Sequence, residues 1–250
     1  MKKAGGAGAA LAPARAFGLA AALVALLVAP ATVAAAPPDP SANIAFGPVP
    51  NACYSAPTGA ACETASVGRL DAARAMLRLG PYRLPRDFLS LIPARQWLVL
   101  ANLDRIAYSL PPIRGLSPTL DAVAKQGAQA REDPNPWPLL SALHGQLRIG
   151  FSSNWAGGQP NGLIAYYGWM YDDGYGSGNI DCSSPSAAGC WGHRHDILAF
   201  TAGGTLSMGA AAPAGRASYA LTIVETSTPV WRYSYTWAQA KAVGAAGAFA

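Results

Sequence analysis

Apolar residues recur at helical spacing in three tracts of the chain. Over residues 66–79, Val67, Leu70, Ala73, Met76 and Leu77 fall on one helical face, and Gly80 with Pro81 ends the tract. Over 93–109, Trp97, Leu98, Leu100, Ala101, Leu103 and Ile106 form a broad apolar face; Pro93 suits a first turn, and Pro111 and Pro112 follow. Ser117 as N-cap and Pro118 open a third helix through Leu120, Val123, Ala124, Gly127 and Ala128. The prolines at 134, 136 and 138 break the pattern, residues 150–158 read as a loop, and 162–171 as a short aromatic-rich helix. The period then changes to two. Leu206, Met208 and Ala210 alternate with small or polar residues, as do Tyr219, Leu221, Ile223 and Glu225 with Ala220, Thr222 and Val224. With a turn at 213–215, these runs predict an antiparallel hairpin. Trp231, Tyr233, Tyr235 and Trp237 share one face of an expected last strand, either packed inward or forming a stacking surface for sugar or lipid.

The ends of the chain read differently. Lys2 and Lys3, an apolar run over 16–28 and small residues at Ala34, Ala35 and Ala36 have the layout of a secretory signal over 1–36; an uncleaved anchor is the rival reading. Cleavage removes Lys2, Lys3 and Arg15, so the formal charge falls from +5 to +2 and the mature chain carries no transmembrane segment. The remaining arginines are scattered, which excludes a nucleic-acid footprint. Residues 37–52 read as a Pro-rich linker, 53–238 as one domain (helical over 66–129, site and sheet over 145–238), and 239–250 as a flexible tail. In an exported chain the four cysteines predict two disulfides, and their spacing favours the local pairs Cys53–Cys62 and Cys182–Cys190.

Candidate chemistry concentrates in residues 169–198. Trp169, Asp172, Asp173, Asp181, Trp191, His193, His195 and Asp196 fall there, in a chain with 12% charged residues and three histidines. No nucleophile elbow, metalloprotease helix or phosphate loop is present. Asp172, Asp173, Asn179 and Asp181, interleaved with glycines, offer the oxygens calcium takes, or simply turn chemistry. His193 oriented by Asp172 or Asp173 offers a general base, or a structural hydrogen bond. Catalytic candidates are thus His193 and Asp173. Arg194 is expected to pair with a carboxylate, and Glu225 is a candidate for that partner or for a further acid.

Gly192-His193-Arg194-His195-Asp196-Ile197-Leu198 resembles the Gly-His-Arg-x-Asn-Ile-Leu signature of the bacterial branch of the CAP superfamily, the cysteine-rich secretory, antigen five and pathogenesis-related proteins (the SCP-like domain). The tract from Asn102 and Arg105 through Leu110-Pro111-Pro112 to Leu120 and Ala124 is similar to that family's first helical hairpin. Ser153-Asn154-Trp155-Ala156 falls where the family carries Glu-Asn-Ile-Ala, and Trp169-Met170 where it carries Trp-Met or Trp-Tyr. Departures are Ser153 for the glutamate and Asp196 for the asparagine.

The resemblance implies an α+β fold, an α-β-α sandwich with a small, mostly antiparallel sheet. It also implies a polar cleft around His193, Asn154, Trp155, Trp169, Asp172 and Asp173, an outward-facing His195, and a pocket able to hold a divalent cation such as zinc on His193 and His144. Three functions follow as expectations. The first is a secreted, extracellular or cell-wall-associated binding protein for a lipid, another amphipathic molecule or a wall component. The second is a metal-assisted hydrolase of wall peptide or glycan. The third is an interaction module presenting the 182–190 disulfide loop.

Overall fold

The computed structural model describes residues 36–45, 47–143, 149–201 and 204–245. His144 and nearly all of the expected signal segment lie outside them. Among the described residues the helices are α1 (Ala52–Ser55), α2 (Ala60–Met76), α3 (Pro93–Ala107), α4 (Pro118–Ala130), α5 (Trp137–Leu140), α6 (Gly162–Tyr171), α7 (Gly192–Leu198) and α8 (Trp237–Ala242). The strands are β1 (Gly115–Leu116), β2 (Ile149–Gly157), β3 (Thr205–Ala211), β4 (Ser218–Thr226) and β5 (Tyr235–Thr236), in the sheet order β2-β4-β3-β1-β5. Only β1 with β3 is parallel; the other neighbours are antiparallel. This is the expected α+β class with a small, mostly antiparallel sheet.

Alternation along β4 decides the layering. Tyr219, Leu221 and Ile223 join the main core with α3 and α6, whereas Val224 packs on the other side with Leu120 of α4 and Leu140 of α5. The α4 backbone lies so close to β3 that a Cβ at Gly209 would come within 2.1 Å of the Leu120 carbonyl carbon. No other residue type fits at Gly209 without separating the two layers. On the other face α7 lies against β2, with Ser152 Oγ donating to the Asp196 carbonyl and Asn154 Nδ2 to the His193 carbonyl, both at 2.8 Å.

Four sequence expectations change. The 150–158 tract is a strand, not a loop: glycine and serine content outweighs β-propensity in isolation, but pairing with β4 along its whole length restores it. The aromatic run ends in a two-residue strand because Thr236 and Gln239 form a capping box that starts α8. Its side chains pack, with Tyr235 and Trp237 in the main core and Trp231 against the α4–α5 cluster. The expected linker is docked from residue 39 onward: Ile44 is buried, its N–H donates to the Tyr171 carbonyl, and Asn43 bonds both the N–H and the carbonyl of Gly174. The start of the expected tail is ordered as well, with Ala240 and Ala245 buried. Both disulfides form as expected.

The core is not wholly apolar. Asp104 of α3 is 0% exposed and its carboxylate accepts from Arg74 of α2, from Tyr82 Oη (2.6 Å), Tyr166 Oη (2.7 Å) and Tyr171 Oη (2.9 Å). Burial, then the Asp104 charge, pushes all three phenols well above their ordinary range, so they stay protonated donors. Burial opposes the Arg74 charge, but Asp104 outweighs it and holds the guanidinium ionised. Asp104→Ala is expected to cost about 3–5 kcal/mol by chemical denaturation, because Arg74 is left buried without its counter-charge. Tyr166→Phe, which removes one of several donors, should cost about 1 kcal/mol. Near-equal losses for the two variants would contradict this assignment.

Candidate functional site

Tyr171 ends α6, and the next two residues carry the chain from the Asp104 cluster to the histidine. Asp173 is 1% exposed. Its Oδ1 accepts from His193 Nδ1 at 2.7 Å and from Asn179 Nδ2 at 2.9 Å; its Oδ2 accepts from the backbone N–H of His193 (3.0 Å) and of Arg194 (3.3 Å). Asp173 therefore caps α7 from a distant segment, satisfying first-turn amides that the helix cannot satisfy itself. Its own carbonyl accepts from Trp191 N–H, which helps hold Trp191 in a left-handed conformation (φ 61°) at the helix entrance. Asn179 bonds Asp173 and the Gly189 carbonyl together and so ties the disulfide loop to the site.

A carboxylate can only accept, so His193 Nδ1 carries a hydrogen in either charge state and Nε2 is the free position. The side chain is 20% exposed. Burial disfavours its charge, but the Asp173 hydrogen bond and the charges of Asp173, Asp133 and Asp196 outweigh that and raise its pKa. Asp196, one turn further along α7, is raised to about 7 by burial, which His193 only partly offsets. Asp133 follows α4 and is itself exposed, yet the protein around its carboxyl strips enough water from it to raise it, while His193 and then the Trp155 backbone amide draw it back. A histidine and two titrating carboxyl groups thus share one electrostatic neighbourhood at the junction of α7, β2 and the segment after α4.

The other expected site residues sort by packing. Asn154 is fully buried and positions α7 through the His193 carbonyl, leaving its Oδ1 without a partner. Trp155 is half-buried, and its indole N–H donates to Ser218 Oγ on the α4 side of the sheet. Trp169 is a core residue, 2% exposed and edge-on to Trp97 at 5.5 Å, so it is packed inside and does not present a surface to solvent. Asp172 is raised by burial, drawn down by Arg69 and raised by Asp173; His193 is not among its determinants.

Arg194 is fully buried without the expected carboxylate and donates instead to the Met170 carbonyl and Tyr108 Oη, holding the end of α6. Glu225 acts on Arg105, which burial lowers to about 10 and which donates to the Ile197, Ala199 and Phe200 carbonyls at the end of α7. His195 is exposed as expected and pairs with Asp39 at 2.8 Å.

Of the two histidines that the resemblance implies as cation ligands, His144 lies outside the described residues. Among the described residues no three His, Cys, Asp or Glu side chains gather as a metal would need. In the calcium-like loop both Asp173 oxygens are committed, and Asn179 Oδ1 accepts the Asp181 N–H. Neither Asp133 nor Asn179's bridging role is apparent from spacing: the one lies in a proline-rich break and the other in a glycine-rich loop. No known protein family, curated protein or solved structure matches the chain.

Raised carboxyl and imidazole groups bind protons more tightly in the folded than in the unfolded protein, so both erode stability as pH rises. For Asp196 the loss runs from about pH 4 to 7, and for His193 it lies above the ordinary histidine value. Asp196→Asn should therefore leave stability at pH 4 nearly unchanged and raise it by about 1–2 kcal/mol at pH 8, a figure discounted for partial exposure. Denaturation curves at the two pH values check this; equal effects at both would contradict it.

Proposed function

We propose that the chain is an exported binding protein of the CAP-like kind, whose polar cleft at His193 takes a cell-wall or amphipathic ligand. The observation that carries the reading is the asymmetry of the His193 ring: Nδ1 is locked on a buried carboxylate and Nε2 is left open at a partly exposed surface. That is a fixed hydrogen-bonding point, charged or neutral according to pH. It is not a nucleophile–base pair, because the adjacent hydroxyls are committed elsewhere: Ser152 Oγ to the Asp196 carbonyl and Ser153 Oγ to Thr222 Oγ1. Two disulfides and the absence of a membrane-spanning helix among the described residues are compatible with an extracellular setting.

Sedimentation of the purified protein with insoluble peptidoglycan sacculi and with phospholipid vesicles tests the reading. Wild type should be retained by one of the two, and His193→Ala should lower that retention about tenfold, the effect of losing one charge-assisted hydrogen bond. Equal retention of the two proteins contradicts the reading. Soluble fragments released from sacculi by wild type and not by the variant would move the chain to the hydrolases.

A further inference from the structure

We propose that the outer edge of β2 at Phe151 and Ser153 is a docking site for an extended peptide, which adds as a strand and sets a basic side chain beside Asp133 and Asp196. It rests on the reading of the His193 region as a binding cleft and names the class of ligand that cleft takes.

Ladder parity shows which backbone groups are open. Gly158 N–H donates to the Ala217 carbonyl, and the register runs without a bulge from Gly157↔Ser218 to Ile149↔Thr226. Even-numbered β2 residues therefore bond β4, and odd-numbered ones turn their N–H and C=O outward. The outward groups of Trp155 are occupied: its carbonyl accepts from Trp169 Nε1 at 3.3 Å, and its amide lies by Asp133. Among the described residues, those of Phe151 and Ser153 meet no protein partner.

Sheet edges are normally blunted by shortness, proline or charge. The opposite edge, β5, is two residues long. In contrast, β2 is nine residues long and holds neither a proline nor a charged residue. Phe151 also keeps 39% of its surface exposed beside this edge, an apolar contact for a neighbouring strand.

The surroundings select the peptide. The side-chain and backbone bonds of Ser152 and Asn154 bring Asp196 and His193 alongside 151–154, and Asp133 stands at the Trp155 end. Asp133, Asp173 and Asp196 all act on His193, and Asp181 acts on Asp133, so acidic groups outnumber cations there. A strand carrying lysine complements both the open main chain and this charge.

The probe is the peptide acetyl-Thr-Val-Lys-Val-Thr-Val-amide, with amide hydrogen exchange at residues 151 and 153 read by NMR. In the free protein both amides should exchange fast, and millimolar peptide should slow them about tenfold. A peptide N-methylated on its pairing edge, or with glutamate for lysine, should not. Ser153→Pro removes the outward N–H together with the Thr222 bond and should abolish the slowing at Phe151, whereas Ser153→Ala, which loses the Thr222 bond alone and keeps that N–H, should preserve it. Should the proline variant misfold, the N-methylated peptide still decides.

The proposal is overturned by no slowing with the lysine peptide, by equal slowing with the N-methylated one, or by amides already protected in the free protein through a second copy. Loss of sacculus or vesicle retention in His193→Ala together with any of these leaves the cleft standing and removes the edge. Unchanged retention removes the cleft whatever the peptide does.

Discussion

A carboxylate taken out of water must be met by fixed donors, and two such carboxylates bracket the end of α6. Asp104 lies behind it, closed on Arg74 and three tyrosine hydroxyls; Asp173 lies ahead of it, closed on Asn179, the first amides of α7 and the ring of His193. Losing either charge's partners costs several kcal/mol, a large part of the stability of an ordinary domain. The positions of α2, α3, α6 and α7 are therefore not independent. Tyr171, the last residue of α6, donates to Asp104, and two residues later the chain delivers Asp173 to the first turn of α7.

Buried arginines extend the same logic. Arg194 holds the Met170 carbonyl near the end of α6, and Arg105 holds three carbonyls at the end of α7. Each places a cation where a helix leaves acceptors unsatisfied. Neither meets a carboxylate within hydrogen-bonding distance among the described residues, so backbone dipoles carry most of their compensation. The result is a frame with one titratable region on it, where His193, Asp196 and Asp133 each hold a proton more tightly than they would in water.

Much of the frame is legible in the sequence. Proline and glycine punctuation locates α3, α4 and α6, alternation locates β3 and β4, and short spacing locates both disulfides. The candidate site is legible at His193 and Asp173, whose chemistry is dense in an otherwise weakly charged chain. What spacing does not show is long-range pairing. Residues 150–158 become a strand only through β4, and the charged pattern of α2 and α3 does not reveal that Arg74 and Asp104 point at each other across the core. Asp133 joins His193 from a proline-rich break, and residues 39–44 dock on the site from a segment with the composition of a linker. Trp169 misleads in the other direction, since an aromatic beside a site is equally often part of the core.

The claim on which the rest turns is that a buried Asp173 carboxylate fixes the ring of His193. Nitrogen-15 NMR of the imidazole, followed across pH in wild type and in Asp173→Asn, tests it directly. The predicted result is a wild-type ring protonated at Nδ1 when neutral and titrating above the ordinary histidine value, with a lower pKa in the variant. A wild-type ring carrying its neutral proton on Nε2, or titrating alike in both proteins, would contradict it.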